Sequence, residues 1–148
     1  MSSGVETIEV VEPWLYARLS GDAALAALVG DNIVGTLSDG AVVPPYVVFS
    51  HVSSRDITGT GGVRTEVDCL YTVKAVARGS SWSVVRPIAT RLGVLLGGAD
   101  PTVVTTSTTP AGDLTCVREG IVQYPEVADG AQYRHLGATW RIRANSHA

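Results

Sequence analysis

The sequence is nearly without lysine. Ten of its 11 basic residues are arginine and Lys74 is the single lysine; no basic run occurs, and the net charge is −3. A protein that grips duplex DNA displaces counterions with clustered cations, so sequence-specific nucleic-acid binding is disfavoured. Cysteine is also scarce. Cys69 and Cys116 stand alone among apolar neighbours ("DCLYTV", "LTCVRE"), with no CxxC pair, which predicts two reduced, buried thiols and not a metal site or a structural disulfide. No apolar run approaches the ~20 residues of a membrane span. The three histidines, His51, His135 and His147, are far apart, with no HxH, HxxxH or HExxH spacing, so no local metal site is expected. The first residues carry Glu6, Glu9 and Glu12 where a signal peptide would be basic, which predicts synthesis in the cytoplasm.

What is present is apolar and patterned. With 148 residues, 45% hydrophobic and 17% charged, the chain reads as one globular domain spanning 1–148. Apolar residues at Val5, Ile8, Val11, Leu15 and Leu19 have helical spacing, interrupted by Pro13. The main helix is expected over 13–20, after a looser arm at 1–12; the alternative is one longer helix kinked at Pro13. Asp22 is placed to cap a short helix, "AALAALV", closed by Gly30. "NIVGTL" and "PPYVVFSHVS" read as strands, with Pro44 and Pro45 at the entrance of the second. In "RTEVDCLYTVKAVAR", Val67, Cys69, Tyr71, Val73 and Ala75 share one face and polar residues the other, the pattern of a half-buried strand.

"SSWSVVRPIATRLGVLLGG" returns to helical spacing. Ser80 or Ser81 is its candidate cap, Pro87 marks a kink or the first turn, and Gly97-Gly98 ends it. "TVVTTST", "DLTCVREGIVQY" and "AQYRHLGATWRIRAN" supply three more strands, joined by the turn-rich "TPAGD" and "PEVADG", and residues 145–148 read as a frayed tail. The fold class expected is α+β: a mostly antiparallel β-sheet with an N-terminal helical segment and one central helix on one face.

The stretch 51–68, "HVSSRDITGTGGVRTEVD", mixes the residue types of three different sites. His51, Ser53 or Ser54 and Asp56 have the types of a hydrolase set. On a regular strand, however, Ser53 shares a face with His51 and Asp56 does not, and no GxSxG elbow exists. "GTGGVR" lacks the Lys-Ser/Thr of a phosphate loop and precedes a strand instead of a helix. The remaining reading is a glycine-rich arm that stiffens on contact with another protein, against the plainer one of a solvated hairpin loop. Trp140 is expected in the core; Trp82 fits a core or an interface position equally.

The order of "LYARLSGDAALAALVGDNIV", "PPYVVFSHVSSRD", "TEVDCLYTVKAVARGSSWSVVRPIATRLGVLL" and a terminal hairpin, over residues 12 to 144, resembles the tail-completion family of long-tailed bacteriophages, whose members act as tail terminators. The Pro13 and Pro87 interruptions depart from that pattern. The resemblance implies a structural protein with no enzyme activity and no cofactor. It implies a ring of six copies capping the tail tube, partners in the tube protein and the head connector or stopper, and DNA passing through the lumen unread. The finished location is the virion, at the head-tail junction. On this reading Arg55, Asp56, Gly59, Gly61, Gly62 and Arg64 are the candidate contacts with another subunit or the tube. A head-tail stopper or adaptor is the near alternative, and a small cytosolic hydrolase the distant one.

Overall fold

A computed structural model describes residues 5–35, 43–59, 61–62 and 64–146. Three helices and six strands follow in the order α1 (Glu12–Ser20), α2 (Ala23–Val29), β1 (Ile33–Gly35), β2 (Tyr46–Thr58), β3 (Arg64–Arg78), α3 (Val85–Gly97), β4 (Thr105–Thr108), β5 (Gly112–Ala128) and β6 (Ala131–Ser146). The strands form one sheet in the order β1-β2-β3-β6-β5-β4. β1 runs parallel to β2, and every other neighbouring pair is antiparallel. The expected α+β class is what the chain adopts.

β3 keeps its predicted alternation. Val67, Cys69, Tyr71, Val73 and Ala75 are buried beneath the helices, and so are Ala138, Trp140, Ile142 and Ala144 of the adjoining β6. α3 lays Val85, Ile88, Leu92 and Leu96 on this face, each worth roughly 1.5–3 kcal/mol of burial. Pro87 falls in its first turn, where the missing N–H costs nothing. The helix begins after Val84 without a side-chain cap, so Ser80 and Ser81 do not cap it. Ser81 instead bonds to the Ser83 amide and hydroxyl.

The amino-terminal helix differs from the expected loose arm. Thr7–Val11 forms a π-helical turn continuous with α1, and Val10 and Val11 are buried. The Glu12 amide bonds five residues back, to the Thr7 carbonyl. Pro13 can neither donate nor tolerate a tight preceding turn, and widening that turn lets the helix run through it. The longer of the two helices is thus the one formed; residues 1–4 lie outside the described residues. The Asp22 carboxylate accepts from the Leu25 amide at 2.8 Å and caps α2 as expected. It also takes a bidentate pair from Arg91 at 2.8 and 2.6 Å, which ties α2 to α3. That pair holds the Asp22 pKa down at about 2.

One turn and the carboxyl end depart from what the sequence suggests. "PEVADG" is strand up to Ala128, and only Asp129 and Gly130, with φ of 51° and 76°, reverse the chain. An Asp-Gly pair with both φ positive suits the tight two-residue hairpin turn. At the carboxyl end Asn145 and Ser146 belong to β6 and Ser146 is buried, so the tail is not frayed there; His147 lies outside the described residues.

Candidate assembly interface

Most of the 51–68 stretch is ladder, not loop. β2 runs to Thr58 and β3 starts at Arg64, so the arm is a long hairpin with a short glycine turn. Within it the Gly62 amide bonds the Gly59 carbonyl at 3.2 Å, and Gly61 and Gly62 take φ of 85° and 77°, conformations that glycine adopts without strain. From His51 to Asp56 every residue is exposed, because β1 pairs only with Val47–Phe49. Arg64 pairs with Thr58 at the far end.

A bulge at Val52 governs which way this arm points. His51 is level with Tyr71, but Ser53 is level with Leu70, so one extra residue on β2 inverts the alternation beyond it. His51 therefore faces the helix side with Asp56, which is level with buried Val67, while Ser53 and Arg55 face the opposite, open side. That is the reverse of the regular-strand expectation: Ser54, level with buried Cys69, shares the helix side with His51 and Asp56, and Ser53 does not. His51 makes an edge contact with the Tyr71 ring. His135, on the open side, sits on Glu126 at 2.8 Å and stacks on Tyr124. Burial lowers its pKa.

Arg55 anchors the root of the arm. It donates from Nε and Nη2 to Asp68 Oδ2 at 3.3 and 3.2 Å. Asp68 is only 4% exposed and also accepts from Arg141 Nη1 at 2.8 Å, while Arg141 grips Glu119 with its other nitrogens. Arg143 meets Glu66 at 2.6 Å beside them. Arg55, Arg141 and Arg143 are thus matched by Asp68, Glu119 and Glu66 on the sheet face that carries no helix. The side chains around this root, Ser53, Arg55, Asp68, Arg141 and Arg143 among them, line a shallow polar depression. Sequence reasoning singled out Arg55 and missed Arg141, Glu119 and Asp68. The signal was there in the polar alternation of "TWRIR", where Arg141 and Arg143 lie two apart and must share a face.

A second concavity, of about 220 Å³, lies between α3 and the sheet. Val73, Leu136 and Trp140 form its floor, with Arg86 and Arg118 among its other lining residues. Among the described residues no three His, Cys, Asp or Glu side chains converge as metal ligands, and neither His51 nor His135 has a hydroxyl or thiol partner. Cys69 and Cys116 are free and buried, with pKa values pushed up to about 12 by that burial. Trp140 is core, as expected. Trp82 is half-buried, with the Arg134 guanidinium over its ring.

Fold and surface together define an α+β domain with an exposed hairpin arm. The architecture is similar to that of a chain in the virion of a native gene transfer agent particle, with a TM-score of 0.61 and 18% identity over 88% of this chain and 91% of that one. That likeness shows a shared fold. No curated protein matches the sequence. The family model for tail completion protein gp17 matches residues 13–116, more than half of the chain; the chain belongs to this family and is a structural protein of the phage tail.

Proposed function

We propose that the protein is a tail terminator: six copies close into a ring on the end of the tail tube, halt its growth and give the head connector a seat. The observation that carries this reading is the β2–β3 hairpin, whose β2 strand is exposed on both faces from His51 to Asp56 yet is anchored at its root by the buried Asp68. A hairpin held this way presents contacts without unravelling the sheet behind it. Arg55, Asp56, Gly59, Gly61, Gly62 and Arg64 are its contact residues with the next subunit or the tube. The helix-free sheet face, with its arginines and carboxylates in balance, suits a wall past which DNA slides without being held.

The test is to mix the purified protein with isolated tail tubes and view them by negative-stain electron microscopy. A ring at one end supports the reading, and shortening the 59–63 turn then abolishes capping while leaving the monomer folded. Bare tube ends with folded protein in excess refute it in favour of a stopper or adaptor seated on the connector side.

A further inference from the structure

The two edges of the sheet are each guarded over half their length, and over opposite halves. On one edge β1 pairs with Val47–Phe49, and among the described residues nothing pairs with β2 from Ser50 to Thr58. On the other edge β4 pairs with Asp113–Cys116, the Arg118 amide is taken by the Pro101 carbonyl, and among the described residues β5 is open beyond it to Ala128. The registers fix the heights. Phe49, Val73, Ala138 and Ile121 lie in one row, so β1 stands level with the open part of β5. Asp56, Val67, Ala144, Leu114 and Ser107 lie in another, so β4 stands level with the open part of β2. Each edge therefore has a projecting strand where the other has a notch.

From this we infer that a second copy of the chain docks edge to edge at the same height, with β4 of one copy pairing along residues 54–57 of the next and β1 of that next copy pairing along residues 121–123 of the first. Strand directions permit both ladders. β4 lies four antiparallel steps from β2 and runs parallel to it, whereas β1, parallel to β2, runs antiparallel to β5; both arrangements satisfy backbone groups. Open edge segments without lysine or proline are templates for such pairing; residues 54–57 and 121–123 carry neither, with Pro125 lying beyond the paired stretch, and Val52 and Ile121 expose apolar side chains along the two edges. The charges match as well. Arg134 has its guanidinium on the Tyr133 carbonyl, Gln132 and the Trp82 ring, with no carboxylate partner among the described residues. Its row is shared with Ala77 and Pro125. In the docked copy Asp31 is exposed in the turn just before β1, towards the same end of the sheet as this row, so docking brings an exposed carboxylate toward the arginine. One edge meets a different edge, so the contact repeats head to tail, and its closure into a ring rests on the terminator reading.

Paired cysteines test the registers. Val34 is level with Val122 across the proposed β1–β5 junction, and Arg55 with Thr106 across the β2–β4 junction. Within one chain each pair is separated by four strand spacings, about 19 Å, too far for a disulfide, whose Cα atoms lie within about 7 Å. The variants Val34→Cys/Val122→Cys and Arg55→Cys/Thr106→Cys are mixed with tail tubes, oxidised mildly and run on non-reducing gels, after thermal unfolding under reducing conditions shows that each folds. The second pair, at exposed positions, stands in if the first does not fold. The expected result is a ladder of multimers from the double variants and monomer from every single variant. Capping is read on the parent protein and ladders on the double variants. Caps without a ladder overturn the edge pairing and leave the terminator reading intact. A ladder with no caps from the parent supports the pairing and refutes the terminator reading, and absence of both removes the two together.

Discussion

The ion-pair cluster at the root of the arm makes an unequal prediction about its two arginines. Asp68 is 4% exposed and holds Arg141 at 2.8 Å and Arg55 at 3.2 Å; Arg141 is 35% exposed and Arg55 77%. Arg141→Ala removes the shorter bond and leaves a buried carboxylate with only a solvent-screened partner. Hydrogen bonds to charged groups are worth ~1.5–3 kcal/mol net, so a loss of about 2–3 kcal/mol is expected. Arg55→Ala removes a long contact from a mostly hydrated guanidinium, and exposed pairs contribute ~0–1 kcal/mol. Urea unfolding of both variants, read by far-UV circular dichroism, gives the comparison directly. Equal destabilisation by the two, or Arg141→Ala within about 0.5 kcal/mol of the parent, refutes the account of Asp68 as a hub held from the Arg141 side. The expected asymmetry also means that Arg55→Ala leaves a folded monomer, so a capping defect in that variant is a contact defect.

Gly137→Ala should destabilise by ~1–3 kcal/mol or more, because a Cβ there would strike the Val73 carbonyl and approach Lys74 Cβ to 2.6 Å; a melting temperature equal to the parent's contradicts the close approach of β3 and β6. Stability should fall in two steps on acidification. His135 is held neutral by burial, so its folded pKa lies below the unfolded value of 6.5; the unfolded chain takes up the proton first and stability drops as pH falls below that value. His135→Gln should flatten this step in urea midpoints measured against pH. The second step belongs to Asp22, whose pKa falls from 3.8 to about 2 beside Arg91. Its contribution is complete above the unfolded value and is lost on approach to pH 2; Arg91→Gln should remove most of that slope. Cys69 and Cys116 should react with a disulfide-exchange thiol reagent only at the rate of unfolding, and immediate labelling of the native protein would contradict their burial.

Elements with a strong single period were legible in the sequence. β3 was readable to its ends because five alternate residues are apolar and their neighbours polar, and α3 because its stripe recurs at helical spacing over 13 residues. The misreadings arise where tertiary pairing overrides local signals. "PEVADG" looks like a loop by composition, yet its first four residues pair with β6. The strand is expected to end near Ser53, because "SRDIT" has no apolar alternation to extend it; its partner β3 supplies the ladder. The widened turn before Pro13 follows from chain geometry, which spacing alone does not reveal. As for the candidate site, residues within 51–68 were visible as a polar cluster, but Arg141 and Glu119 reach it from 73 and 51 positions beyond Asp68, and no local window contains such a contact.

The bulge at Val52 separates residue count from register. His51 is level with Tyr71 and Ser53 with Leu70, so removing the residue between them straightens the strand while Arg55 stays opposite Asp68 and Asp56 opposite Val67. A single residue gained or lost at this point is therefore absorbed locally, and a relative that differs in length here keeps both displays along the hairpin. A surplus residue beyond the bulge has no such sink and turns every later side chain to the other face.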